Sequence, residues 1–96
     1  MSSRDLHGLI IEVKIDLARN DEAERLLHET VVPSLKASPG FVGGYWLGSD
    51  DGRFTSVIVF NSEEAAWAVL GSGPAIPENA PLTITRYEVQ RVLADG

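Results

Sequence analysis

The chain contains no cysteine. Disulfides, thiolate metal sites and cysteine nucleophiles are thereby excluded. Histidine is nearly as scarce. His7 and His28 are the two imidazoles, too few for a tetrahedral zinc site without carboxylate help. Positive charge is thin: 8 Lys and Arg stand against 14 Asp and Glu, a formal net charge of −6. The basic residues (Arg4, Lys14, Arg19, Arg25, Lys36, Arg53, Arg86, Arg91) are scattered singly. A phosphate backbone is gripped by clustered Lys and Arg, so nucleic acid is not an expected partner. No apolar run approaches the ~18–20 residues of a membrane span, and a membrane is not an expected partner either. Met1 to Asp5 lack the apolar stretch of a secretion signal. The expected setting is cytoplasmic.

What is present fits one globular domain over residues 1–96. The hydrophobic fraction is 44% and the charged fraction 23%, both ordinary values. A chain this short buries only about two-thirds of its unfolded surface, so further burial through self-association would help it. From His7 to Ile15 the odd positions read His, Leu, Ile, Val, Ile, with Glu12 and Lys14 between them, which predicts a half-buried strand. Asn20 offers an N-cap, with Asp21 and Glu22 suited to a helix N-terminus. Ala23, Leu26, Leu27, Thr30, Val31 and Leu35 then form the stripe of an amphipathic helix. Pro33 predicts a kink or restart, and Ser38-Pro39-Gly40 a stop.

Phe41–Gly48 and Arg53–Phe60 read as two strands, and Asp51-Gly52 between them predicts a hairpin with Gly52 at positive φ. Asn61 to Glu64 resemble a capping box. They open a second helix carrying Ala65, Ala66, Trp67, Val69 and Leu70, with Gly71 as the expected stop. Gly71 to Pro81 hold three prolines and two glycines, so that segment is expected to be irregular. Leu82 to Leu93 read as the last strand. The order is βαββαβ, and two split βαβ units give a ferredoxin-like α+β domain: a four-stranded antiparallel sheet of order 4-1-3-2 with two helices on one face.

Two helices cover only one face of such a sheet, and the other should be polar in a monomer. Here it is not. Phe41, Tyr45 and Leu47 are expected on one face of the second strand, Val42 and Trp46 on the other. In the third strand Val57 and Val59 alternate with Phe54, Ile58 and Phe60. An apolar second face marks an interface, so a homodimer through the open sheet face is expected.

The element order, taken with Val32-Pro33-x-x-Lys36-x-x-Pro39-Gly40-Phe41-Val42-Gly43-Gly44-Tyr45-Trp46, resembles the dimeric α+β barrel superfamily. Within it the chain looks most like the small antibiotic-biosynthesis-monooxygenase-like proteins. The Asp51-Gly52 hairpin and Phe60-Asn61-Ser62-Glu63-Glu64-Ala65 fit that group, and the resemblance spans about residues 8–93. It implies a small-molecule pocket. Such proteins include cofactor-independent monooxygenases acting on aromatic or polyketide-like compounds, haem degraders, isomerases, and others whose activity fold alone does not name. The histidine that the resemblance would place after the second helix is missing: Val69 to Pro74 contain none. That departure weakens the oxygenase and haem readings together, and no cofactor or metal is expected.

Several residues are candidates for chemistry, each with a plainer alternative. His7, on the apolar face of the first strand, suits a base or ligand near neutral pH, or a locally hydrogen-bonded strand end. His28, one turn after Glu24, suits a solvated helix flank. Arg86 and Tyr87 on the last strand could anchor or protonate a ligand, or simply be solvated; with His7 as base, Arg86 is the candidate anion stabiliser. Trp67 could roof a pocket, and either Tyr45 or Trp46 could wall it, since neighbours on one strand face opposite ways. The alternative for all three aromatics is core or interface packing. Ile76, in the proline-rich segment, is the candidate apolar contact of a closing loop. Gly43-Gly44 marks a bulge or close packing. Two functions remain: a small-molecule pocket binding an apolar or aromatic compound, or a non-catalytic homodimeric interaction module.

Overall fold

A computed structural model describes residues 6–72 and 79–94. Strands β1 (His7–Ile15), β2 (Phe41–Gly48), β3 (Arg53–Phe60) and β4 (Leu82–Arg91) form one antiparallel sheet of order β2-β3-β1-β4. The two central strands are the apolar ones, and the polar β4 sits at an edge, as their compositions predict. Helices α1 (Asn20–Leu26), α2 (Val32–Lys36) and α3 (Glu63–Ser72) complete the ferredoxin-like βαββαβ order.

Register fixes the faces. Leu9 pairs with Ile58 and Ile11 with Ser56, and all four are buried under the helices. Their neighbours Ile10, Val57 and Val59 share the opposite face, which carries no helix among the described residues, and are only half-buried. The main core joins Leu9, Ile11, Ile58 and Phe60 of the sheet to Val31 and Leu35 of the first helical stretch and to Ala66 and Val69 of α3. A smaller cluster of Ile15, Ala23 and Leu82 closes the other end. No described helix is long and apolar enough to cross a membrane.

The first helical stretch starts and bends differently from the simple reading. Asp16, not Asn20, supplies the cap: its Oδ1 accepts from the Ala18 N–H at 3.0 Å and opens a 3₁₀ turn, Leu17–Arg19. Asn20 is already helical. The break expected at Pro33 is a π turn, Leu27–Val31, just before α2. Proline has no N–H and its ring crowds the carbonyl four residues back, so the wider turn relieves a clash that a regular α-helix would keep. The helix start expected over Asn61 to Glu64 is there, with Ser62 as the cap, its Oγ accepting from the Ala65 N–H at 3.0 Å. Gly71 does not stop this helix, which continues to Ser72. A glycine in a last turn costs about 1 kcal/mol relative to alanine, which neighbouring packing can outweigh.

Two strand expectations also change. β4 ends at Arg91, not Leu93. In β2 the ladder skips from Phe41↔Phe60 to Gly43↔Val59, the bulge that Gly43-Gly44 suggested. The inserted residue reverses side-chain parity. Phe41 therefore joins the helix side, edge-on to Phe60 at 6.3 Å and 82°, and does not share a face with Tyr45 and Leu47.

Candidate functional site

Where α1 and the π turn face the tip of the β2–β3 hairpin, the helices leave the sheet partly uncovered. The gap is an open cleft of about 410 Å³. Asn20, Glu24 and His28 line its helical side at four-residue spacing, with Leu27 beside them. Trp46 to Asp50 line the strand side, and Leu17 and Phe54 the remaining walls.

Trp46 holds a fixed place in this cleft. Gly44, two residues back on the same strand face, leaves room for its indole: a Cβ there would stand 3.3 Å from Trp46 Cη2 and 3.1 Å from the Val57 carbonyl oxygen. The ring also packs on the main core. Its Nε1 is shielded from solvent and has no acceptor among the described residues. An unpaired buried donor is uncommon, because the desolvation it suffers is not returned.

The charges around the cleft are acidic. Glu24 Oε2 accepts from Asn20 Nδ2 at 2.7 Å, and Asp50 projects from the hairpin turn. None of the lining residues is Lys or Arg. The nearby Arg53 is engaged outside the cleft, its Nε and guanidinium nitrogen reaching Asp51 at 3.0 and 2.7 Å. That pairing, with the Ser49 hydroxyl donating to the same carboxylate at 2.6 Å, lowers the Asp51 pKa to about 2. No group of metal-binding side chains occurs among the described residues.

The sequence candidates are not all gathered here. Trp46 lines the cleft. Tyr45 does not: it is 72% exposed on the helix-free face. Trp67 is 47% exposed on α3, its Nε1 donating to Glu63 at 3.3 Å, and it lies outside the cleft. His7 begins β1 opposite Phe60 and Arg91, on the helix side. Arg86 pairs with Glu12, five residues along β1 and on the other face. At ~3.3 Å per residue the two stand roughly 16 Å apart along the sheet, so the structure does not bring His7 and Arg86 together. Arg86 instead binds Glu12 at 3.1 Å and also contacts Glu88. Tyr87 is exposed at the β4 edge. Ile76 lies outside the described residues. His28 is exposed, as expected of a flank residue, yet it belongs to the cleft. Glu24 and Asp50 were not singled out from the sequence; the four-residue spacing of Asn20, Glu24 and His28 was the available signal.

No family model matches the chain, and no curated protein matches it. Solved structures do. The haem degrader MhuD from Mycobacterium tuberculosis, with two haems bound, aligns with a TM-score of 0.66 at 21% identity, covering 94% of this chain and 98% of that one. SnoaB, a cofactor-independent oxygenase from Streptomyces nogalater, aligns with a TM-score of 0.69 at 14% identity over 95% and 96%. A protein of unknown function from Nitrosomonas europaea gives 0.65 at 14% over 98% and 95%. At these identities the likeness is one of fold, and that fold is the one the sequence resemblance implies.

Proposed function

We propose that the protein is a homodimer that binds a small molecule with an apolar or aromatic body in the cleft between α1 and the β2–β3 hairpin. The observation that carries this reading is the cleft itself, about 410 Å³ and walled by Leu17, Leu27, Trp46 and Phe54, within the ~300–1,000 Å³ range of small-molecule sites. The second copy covers the helix-free sheet face, where Tyr45 and Leu47 are exposed beside Ile10, Val57 and Val59. The finer form of the proposal is a cofactor-independent monooxygenase acting on an aromatic or polyketide-like compound, supported by the shared fold of SnoaB. In that form His7 and Arg86 cannot act on one substrate atom from a single chain, being on opposite sheet faces.

A second reading, a non-catalytic homodimeric module, is favoured by one feature. Leu9, Ile58 and Phe60 are wholly buried and Leu35 nearly so, which fills the centre of the sheet–helix layer. A fragment screen monitored by the two indole N–H resonances separates the readings. Hits that shift Trp46 and are lost in Trp46→Phe support the pocket. A protein that dimerises but binds nothing at Trp46 supports the module.

A further inference from the structure

We infer that Asp51 is a site of spontaneous isoaspartate formation, and that Ser49 and Arg53 are the residues that hold the reaction back. The inference is independent of what the cleft binds.

Aspartate followed by glycine is open to this rearrangement because a residue without a Cβ does not shield its own amide nitrogen. The Gly52 nitrogen attacks Asp51 Cγ and a C–N bond forms. The carboxyl C–O bond breaks, and its hydroxyl leaves with the amide hydrogen as water. Water then adds back to the five-membered succinimide. Opening at Cγ restores aspartate; opening at the Asp51 main-chain carbonyl leaves the chain running through Cβ. Mass is unchanged, and no oxidant or cofactor takes part.

The turn opposes each requirement. Attack needs the carboxyl in its acid form and free to turn over the Gly52 nitrogen. Instead Oδ1 accepts from the Ser49 hydroxyl at 2.6 Å, and Oδ2 from Arg53 Nε at 3.0 Å and a second guanidinium nitrogen at 2.7 Å. These bonds keep the carboxylate ionised, with its pKa lowered to about 2. The nucleophile is restrained as well. The Gly52 N–H donates to the Ser49 carbonyl at 3.3 Å, and the Gly52 carbonyl accepts from the Ile15 N–H at 2.7 Å. Ser49, Asp51 and Arg53 are all exposed, so the restraint is local and can be lost without unfolding the core. Conversion lengthens the main chain by a carbon inside a turn that sets the strand register. Ser49 and Asp50 carry that change into the cleft wall.

The full chain is aged at mildly acidic pH and physiological temperature, natively and in urea. Peptide separation and electron-transfer fragmentation then map isoaspartate, distinguishing Asp51 from the second Asp-Gly pair, Asp95-Gly96. Isoaspartate is expected at Asp51 in urea, and many times more slowly in the folded wild type. Arg53→Met should raise the folded-state rate about tenfold, within what a carboxyl moved from 3.8 to about 2 allows. Ser49→Ala should raise it less, since Arg53 is the larger cause of that shift. An exposed ion pair contributes little stability, so both variants should melt with the wild type, which separates lost bracing from unfolding. Equal rates in folded wild type and Arg53→Met overturn the role of the brace. No isoaspartate at Asp51 even in urea overturns the site.

Discussion

Val57 and Ile58 are chain neighbours that serve opposite faces of the sheet. Ile58 is 0% exposed, paired with Leu9 beneath the helices, whereas Val57 pairs with Ile10 on the helix-free face and is half-buried. The same substitution at the two positions should therefore have different consequences. Ile58→Asp buries an unpaired charge in the core, costs several kcal/mol and should unfold the chain. Val57→Asp should leave a folded protein that sediments at the 10.4 kDa chain mass, while the wild type sediments at about twice that. A Val57→Asp protein that remains dimeric would show that the interface lies elsewhere.

The hairpin gives a sharper test of local geometry. Gly52 has φ +87°, and a Cβ there would approach Leu17 Cδ2 to 3.1 Å and the Ile15 carbonyl oxygen to 3.3 Å. Its own carbonyl accepts from the Ile15 N–H at 2.7 Å, tying the turn to the end of β1. Gly52→Val should cost ~1 kcal/mol or more, from the left-handed backbone and from crowding of Leu17. Urea denaturation reads this directly; an unchanged midpoint would mean that the turn relaxes at no cost.

The strands were legible because their physics is local. Alternation over His7–Ile15, the Asp51-Gly52 turn and the helix start at Asn61 to Glu64 each follow from a few adjacent residues. The failures arose where one residue resets a longer pattern. A single inserted residue in β2 moved Phe41 to the helix side, and a 3₁₀ turn shifted the capping role from Asn20 to Asp16. The cleft was largely illegible. It forms between separate elements of the chain, and no spacing rule tells that Trp46 will share a cleft with Glu24 and His28. Alternation along β4 likewise does not reveal which face its partner strand presents, and Arg86 pairs with Glu12 on the face opposite His7.

Acid should affect the hairpin late. The Asp51 carboxyl is held down to about 2, first by hydrogen bonding from Arg53 and then from Ser49. A depressed carboxylate contributes stability that is present above its unfolded pKa, near 4, and is lost as pH falls through the folded value. The hairpin contribution should thus be constant at neutral pH and disappear between about pH 4 and pH 2. Because the pair is solvent-exposed, the effect on global stability should be small and sensitive to salt. An NMR titration of the Asp51 carboxyl carbon measures it. A midpoint near 4 would show that the Arg53 pairing does not persist in solution.

Haemin tests the cleft charge and the missing histidine together. Val69 to Pro74 contain no imidazole, so His7 and His28 are the candidate axial ligands. His28 shares its cleft with Glu24 and Asp50, whose charges oppose the two propionates of haem. His7 stands opposite Phe60, and Leu9 and Phe60 fill the layer beside it with no exposed surface. Neither position gives a planar dianion both an apolar slot and a ligand, so adding haemin should produce no stoichiometric shift of the Soret band. A one-to-one shift abolished by His7→Ala would make His7 a ligand and restore a haem function at the start of β1. A shift abolished by His28→Ala would place the dianion in the cleft instead, with His28 as its ligand beside Glu24 and Asp50.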